Sequence, residues 1–181
     1  QRGIYALNRG KFRNCLFIQL DTYAQPFSFE NIGGQPELHG CTFVLPSDID
    51  GTGVQLVRSA YGTLPMVNCA VFGTNITPTT GTISATTCMT NIGSPPSGFT
   101  TVTYADQFED TLTATRDFRP KAGADLIDAG SLDTGYATDL IGQSRPQGAG
   151  WDVGAEEWVS PIPPAYARPA SDVSDGGWTN E

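Results

Sequence analysis

Apolar and polar positions alternate around four cysteines in a six-residue frame that recurs along the first half of the chain. Each copy holds an apolar residue, any residue, a turn residue, Cys, any residue and a second apolar residue. The copies span residues 12–17, 38–43 and 66–71, and a degraded fourth spans 85–90. The cysteines recur at intervals of roughly 20–30 residues, a range typical of repeat architectures in which each unit buries its apolar side against its neighbours.

Residue types within the frame predict a turn followed by a short strand. Asn14, Gly40 and Asn68 precede the cysteines, and Asn and Gly tolerate the left-handed backbone that turns a chain. Cys then alternates with an apolar residue two places on, as the inward face of a strand does. Units of this kind stacked in parallel predict an all-β fold, specifically a right-handed parallel β-helix, or solenoid.

Composition agrees with turn-rich β structure and divides the chain into three regions. The chain has 21 Gly, 13 Pro and only 16% charged residues, and no long window has an apolar period of 3.6 residues. We predict β-helix coils over 1–105, an irregular closing cap over 106–158, and an extended tail over 159–181 that holds a Pro-rich linker and the start of a further module. Residues 1–20 already resemble a finished coil of the predicted β-helix. We therefore expect the chain to be part of a longer protein.

Charge and hydropathy argue against a nucleic-acid partner and against a membrane-spanning segment. The net charge is −9 with only 10 Lys and Arg residues, which argues against nucleic acid as a partner. No stretch approaches the roughly 18 apolar residues of a membrane span.

The cysteines are predicted to be structural. Cys15, Cys41, Cys69 and Cys88 occupy the same place in successive coils, so neighbours should stack about 4.8 Å apart with side chains pointing the same way. That separation lies near the range for disulfides, but the shared direction favours free thiols that act as small core hydrophobes. The chain has one His and no close Cys or His pair. We therefore predict neither a metal site nor a cofactor.

After Cys88 the six-residue frame no longer recurs, and the chain contains several short segments rich in polar residues. They are Asp117-Phe118-Arg119-Pro120, the run 122–130 that ends Ile127-Asp128-Ala129-Gly130, the run 138–148 that contains Ser144-Arg145-Pro146, and Asp152-Val153-Gly154-Ala155-Glu156. In order and spacing these phrases resemble the terminal region of right-handed parallel β-helix proteins, including bacterial surface proteins with a choice-of-anchor Q domain. The resemblance covers about 106–158, departs at Ala124 where Ser is usual, and implies that this region closes a β-helix.

An arginine lies among carboxylates in this closing region. Asp139, Arg145, Asp152 and Glu156 fall in turns around apolar residues, and an Arg near several carboxylates makes charge-assisted, often bidentate bonds. Two interpretations are open, namely a sugar-binding or catalytic acid cluster and an Arg-centred staple that holds the closing loops. We favour the structural staple.

Loop residues of the coil region are the candidates for glycan binding. Tyr23 and Tyr61 lie off the frame and offer aromatic surfaces, while Asp48 and Asp50 lie in a sequence that looks like half a calcium loop. That sequence lacks the later acidic ligand, which favours a surface turn. His39 is expected at an outward position as a solvated side chain.

No catalytic residue is predicted. Outward positions of the frame hold no carboxylate. These positions are expected at Arg13, His39 and Val67 in one row and at Leu16, Thr42 and Ala70 in the other. In principle Asp106, Glu109 and Asp110 could supply the acid pair of a glycosidase, but they belong to the closing region, where a structural role is favoured.

The tail points to a biological setting. Residues 159–165 form an extended, Pro-rich spacer. The run 167–180, which reads Ala-Arg-Pro-Ala-Ser-Asp-Val-Ser-Asp-Gly-Gly-Trp-Thr-Asn, resembles a phrase found in virion proteins of tailed bacteriophages, where it opens another small β module.

Two hypotheses from different classes follow. The first is a structural and adhesive protein of a bacteriophage particle, such as a tail fibre, spike or capsid decoration, made in the host cytoplasm and located in the virion. The resemblance implies a homotrimer of sister chains beside other virion proteins, with loops presented to host surface polysaccharide. The alternatives are a carbohydrate-active β-helix enzyme, either a polysaccharide lyase or a glycoside hydrolase, and a bacterial surface β-helix protein. Fold alone does not choose between them.

Overall fold

The computed structural model describes residues 4–7, 10–18, 27–30, 36–44, 62–73, 76, 82–111, 117–133 and 135–160. These residues form strands and turns, with one 3-10 helix at Tyr104–Asp106. None of the helical structure in these ranges is long and apolar enough to cross a membrane. The strands in chain order are β1 (Ile4–Leu7), β2 (Lys11–Arg13), β3 (Leu16–Ile18), β4 (Phe27–Glu30), β5 (Glu37–His39), β6 (Thr42–Val44), β7 (Thr63–Val67), β8 (Ala70–Phe72), β9 (Thr82–Thr86), β10 (Cys88–Thr90), β11 (Phe99–Thr101), β12 (Phe108–Asp110) and β13 (Asp117–Pro120).

Two parallel sheets are built from the repeated frame. One has five strands in the order β11-β10-β8-β6-β3, and the other has four in the order β2-β5-β7-β9. Each copy of the frame gives its first strand to the four-stranded sheet and its second to the five-stranded sheet. Two smaller sheets complete the described strands, the parallel pair β1 and β4 and the antiparallel pair β12 and β13.

A corner residue separates the two strands of every frame. Asn14, Gly40, Asn68 and Thr87 have φ angles of 49°, 54°, 52° and 48°, in the left-handed region that Asn and Gly tolerate best. The corners stack, since the N–H of each of the first three donates to a carbonyl of the next repeat at 2.9–3.1 Å. The predicted left-handed backbone at Asn14, Gly40 and Asn68 is confirmed.

The main core lies between the two sheets. On β5 Leu38 is fully buried while Glu37 and His39 are partly exposed, the alternation expected of a strand with one face inward. Phe17 and Phe43 stack with ring centroids 4.6 Å apart and an interplanar angle of 9°. Parallel register places β3, β6 and β8 in line, so equivalent frame positions become neighbours.

The four cysteines form a row on the side of the five-stranded sheet that faces this core. Backbone N–H groups one strand along donate to the carbonyls of Cys15, Cys41 and Cys69, each at 2.9 Å. All four thiols are free, and Cys41, Cys69 and Cys88 are buried. Burial, reinforced by the adjacent Cys41 and Cys88, raises the pKa of Cys69, so this thiol stays protonated and behaves as a small apolar side chain.

The other face of the five-stranded sheet is also covered. Thr42 and Ala70 were expected at outward positions, and this expectation is wrong, because they are 4% and 0% exposed. A second apolar cluster lies over them and joins the sheet to the chain after residue 101. Its buried members are Val44, Ala70, Phe72, Met89, Phe108, Phe118, Leu126 and Val153. The described residues of this part of the chain, 102–111, 117–133 and 135–160, therefore form an outer layer on the five-stranded sheet.

The predicted right-handed parallel β-helix is wrong as a description of this fold, while the predicted extended tail lies outside the described residues from 161 onward. The described residues form an all-β arrangement in which two parallel sheets meet at a shared corner, beside one parallel and one antiparallel strand pair. The six-residue frame encodes only that corner and the two strands beside it, so it carries no information about how a coil would close. Apolar side chains on both faces of the five-stranded sheet required a further layer, which the chain after residue 101 provides.

Candidate functional site

A short segment follows the row of corners and holds the outer layer to the sheets. This corner segment consists of residues 130–133 and 135–138. It crosses successive repeats of the frame, with Ser131 at Asn68, Asp133 at His39 and the carbonyl of Thr138 accepting the side-chain amide of Asn14. The corner residues are thus both the turns of the repeat and the attachment points of the layer above it.

Asn68 makes the most contacts among the corner residues. Its side-chain amide donates to the carbonyl of Ser131 at 2.7 Å, and its Oδ1 accepts the Ser131 N–H at 2.8 Å and the Thr87 hydroxyl at 2.6 Å. Its backbone carbonyl accepts the N–H of Gly154 at 2.8 Å. With 0% exposure, Asn68 has its polar atoms paired internally, as a buried amide requires.

His39 lies between two carboxylates and is not the solvated side chain that was expected. Its Nδ1 contacts Asp133 in the corner segment, and its Nε2 lies 3.3 Å from Glu37, which also pairs with Lys11 at 2.7 Å. Only 15% of the His39 side chain is exposed. Hydrogen bonding to Lys11 lowers the pKa of Glu37. This arrangement fastens the corner segment, and no nucleophile accompanies the histidine among its described contacts.

A fully buried ion pair lies within the outer layer. Arg145 Nη1 donates to Glu157 Oε1 at 2.7 Å, and both side chains are 0% exposed. The guanidinium also donates to the carbonyls of Asp152 at 3.1 Å and Gly154 at 2.7 Å, and it packs against the rings of Tyr136 and Trp151. Bonds to backbone carbonyls offset part of the desolvation cost of burying this charge.

The remaining carboxylates of this centre accept backbone N–H groups. Asp139 accepts from Ile141 at 3.0 Å and Gln143 at 2.8 Å with Oδ1, and from Glu157 at 3.0 Å with Oδ2. Asp152 accepts from Asp128 at 2.7 Å and also from Trp158. We call Asp139, Arg145, Asp152 and Glu157 the buried ionic centre. Its oxygens are engaged in holding turns, which is the chemistry of a staple.

Burial raises the pKa of Asp152 to about 6 from an ordinary value of 3.8, with the charges of Glu157 and Asp128 adding to the shift. Because the folded pKa is the higher one, the folded protein binds more protons than the unfolded chain between about pH 4 and 6. The free energy of unfolding should therefore fall as the pH rises through that window. We expect a fall on the order of 1–3 kcal/mol from Asp152.

Urea denaturation of the parent chain and of Asp152→Asn, each at pH 4 and pH 7, isolates this contribution, because the other carboxyl groups titrate in both proteins. The amide cannot titrate, so the change in free energy of unfolding between the two pH values should differ between the proteins by the amount that Asp152 contributes. Equal pH dependence in both proteins would show that Asp152 titrates normally.

A cavity of about 250 Å³ opens beside the buried ionic centre. Its position follows from the pairing of β12 with β13, in which alternate side chains face opposite ways. Phe108 and Phe118 turn towards the core with their ring centroids 5.4 Å apart, whereas Glu109 and Arg119 are exposed on the opposite face. The lining residues are Glu109, Arg119, Pro120, Ala122, Ile141, Gln143, Glu156, Glu157, Trp158 and Val159.

Negative charge dominates the lining of this cavity. Arg119 Nε donates to both oxygens of Asp117, at 2.9 and 3.0 Å, and this pairing lowers the pKa of Asp117. Burial raises the pKa of Glu156, and the nearby Asp139 and Asp117 raise it further. Glu109 and Glu156 thus place two carboxyl groups in one cavity whose arginine is already engaged.

The residues singled out from the sequence fall in different places. Asp139, Arg145 and Asp152 come together in the buried ionic centre, whereas Glu156 lines the cavity and Glu157 pairs with the arginine. Tyr23, Tyr61, Asp48 and Asp50, the candidate glycan-facing residues, lie outside the described residues, as does the tail phrase at 167–180. Within the described ranges, no group of three or more His, Cys, Asp or Glu side chains is arranged to hold a metal ion.

Sequence reasoning missed Glu157, Asp133 and the role of Asn68 beyond its turn. The sequence shows two adjacent glutamates, Glu156 and Glu157, either of which could pair with Arg145. Because this segment is neither strand nor helix, its side chains have no regular alternation that predicts which glutamate is buried. Asp133 and His39 are distant in sequence, so only the folded chain brings them together.

Comparisons with protein families, with curated proteins and with solved structures find no match for this chain. The resemblances noted for residues 106–158 and 167–180 stay predictions.

Proposed function

We propose that this chain is a structural and adhesive protein of a bacteriophage particle, in which a rigid all-β scaffold presents a binding surface to host glycans. The observation that carries the structural part is the fully buried Arg145–Glu157 pair and the turns fastened to it. A charged pair at 0% exposure cannot reach a substrate without unfolding its surroundings, so its role is to hold the outer layer in one arrangement.

The corner segment supports the same proposal. It connects the outer layer to successive repeats of the frame through Asn14, His39 and Asn68. The two sheets and the layer above them should therefore resist separation. A particle component exposed outside the cell benefits from this kind of cross-linking, since it must keep its shape without disulfides. The tail resemblance at 167–180 supports the assignment to a phage particle, and the acidic surface is compatible with neutral glycans.

Purified particles of the phage that carries this sequence test the structural part. We expect an antibody against the chain to label intact virions and the chain to be found in them by mass spectrometry. Finding it only as a free secreted protein would overturn the proposal.

Enzymatic activity is the outcome that a second assay must exclude, because Glu109 and Glu156 line one cavity and glycoside hydrolysis uses two carboxyl groups. The chain is incubated with a panel of bacterial surface polysaccharides while reducing ends and unsaturated products are followed. We expect neither product. Turnover that is abolished by Glu109→Gln, Asp48→Asn or Asp50→Asn would replace the adhesive function with a catalytic one.

A further inference from the structure

We propose that the cavity beside the buried ionic centre binds one pyranose residue of a surface glycan, and that the sugar it accepts carries no negative charge. The inference rests on the proposed adhesive function and names a site that could perform it. Glu109, Gln143, Glu156 and Trp158 supply the binding groups.

Size and lining indicate a single sugar ring. A volume of about 250 Å³ lies just under the roughly 300–1,000 Å³ of pockets that enclose drug-sized ligands. A pyranose has hydroxyl groups around its edge and C–H groups on its faces. Trp158 offers an apolar aromatic surface for such a face, while the carboxylates and the Gln143 amide can accept and donate hydrogen bonds to hydroxyls.

The cavity carboxylates Glu109 and Glu156 differ from those of the buried ionic centre, since they lie near the charge of Arg119 without a close ion pair to it. Asp139, Asp152 and Glu157 are each engaged by backbone N–H groups. Within the described part of the chain, no hydrogen bond engages the side chain of Glu109 or Glu156. In the proposed complex, their oxygens accept hydrogen bonds from hydroxyl groups of the sugar.

Charge decides which sugars fit. Glu109 and Glu156 give the cavity two negative groups, and Arg119, the one arginine among the described lining residues, is paired with Asp117. The carboxylate of a uronic or sialic acid would meet two like charges at short range, which is unfavourable. Neutral hexoses and N-acetylhexosamines meet no such repulsion.

Indole N–H signals in a ¹⁵N-labelled sample provide the readout. The chain has three Trp residues, and loss of one signal in Trp158→Phe identifies that of Trp158. The probes are methyl α-D-glucopyranoside, methyl α-D-galactopyranoside, methyl α-D-mannopyranoside and N-acetylglucosamine, with D-glucuronate as the charged comparison. We expect at least one neutral probe to shift the Trp158 signal, with a dissociation constant in about the millimolar range for a ligand of this size, and glucuronate to shift it far less.

Glu109→Ala tests the contact with the cavity. We expect the dissociation constant of the responding probe to rise about tenfold, since a hydrogen bond to a charged acceptor is lost. Asp106→Ala is the matched control, because Asp106 is also an exposed carboxylate, lies in the neighbouring 3-10 helix and is absent from the cavity lining. It should leave the dissociation constant unchanged.

Failure of the site can be told apart from failure of the proposed function. If no probe moves the Trp158 signal, or if Glu109→Ala and Asp106→Ala bind alike, the cavity is not a sugar site, whether or not the chain is found in virions. If the Trp158 signal responds as expected but virions lack the chain, the particle assignment is overturned and the sugar site stands. A stronger response to glucuronate than to the neutral probes would overturn the charge argument.

Discussion

Replacing Arg145 with Ala should lower the free energy of unfolding by about 3–5 kcal/mol, because it leaves Glu157 charged, buried and without its partner. The pair is 2.7 Å apart with both side chains at 0% exposure, so water cannot solvate the remaining carboxylate unless the layer opens. The substitution also frees the carbonyls of Asp152 and Gly154. Urea denaturation at pH 7, followed by circular dichroism, measures the change.

Arg119→Ala is the matched control for this substitution. Arg119 also pairs with a carboxylate, that of Asp117, but 64% of its side chain is exposed, and exposed ion pairs contribute little to stability. We expect its denaturation midpoint to stay close to that of the parent chain. A similar, small change in both variants would mean that Arg145 is not a staple.

The double variant Arg145→Ala with Glu157→Gln separates the lost pair from the stranded charge. A neutral amide costs less to bury than an unpaired carboxylate, so the double variant should be more stable than Arg145→Ala alone. An unchanged or lower stability would show that the unpaired charge of Glu157 is not what destabilises Arg145→Ala.

Local backbone chemistry could be predicted from the sequence. The left-handed corners at Asn14, Gly40 and Asn68 followed from residue types that tolerate φ near 50°. The fourth corner, Thr87, has a φ of 48° as well, although a β-branched residue is unfavourable there. Its hydroxyl donates to Asn68 Oδ1 at 2.6 Å, a stabilising contact that only the stacked corners provide.

Non-local arrangement could not be predicted in the same way. The six-residue frame indicates which residues become neighbours along a sheet. It contains no information about which residues cover the outer face of that sheet. Burial of Thr42 depends on the N–H of Ala155, which donates to its hydroxyl at 2.9 Å across more than a hundred residues of chain. The cavity likewise depends on pairing between β12 and β13, which places Glu109 and Arg119 on one face.

Substituting Gly154 with Ala should lower the free energy of unfolding by about 2–4 kcal/mol, because this glycine joins the buried ionic centre to the corner of the sheets. Its carbonyl accepts Arg145 Nη2 at 2.7 Å, and its N–H donates to the carbonyl of Asn68 at 2.8 Å. Its φ of +114° is unfavourable for any residue with a side chain. An added Cβ would also lie 2.7 Å from Thr42 Oγ1.

Substitutions at two other glycines separate the contribution of backbone strain at Gly154 from that of the close contact with Thr42. A Cβ on Gly123 (φ +82°) meets nothing within 4 Å, so Gly123→Ala reports backbone strain alone, whereas Gly93 has neither the strained φ nor a close contact. The expected order of destabilisation is Gly154→Ala, then Gly123→Ala, then Gly93→Ala with almost none. Thr42→Ala removes the clashing hydroxyl, so its combination with Gly154→Ala should cost less than the sum of the two single substitutions. Strict additivity would mean that the contact with Thr42 does not limit this position, and that the strained φ alone explains the need for glycine.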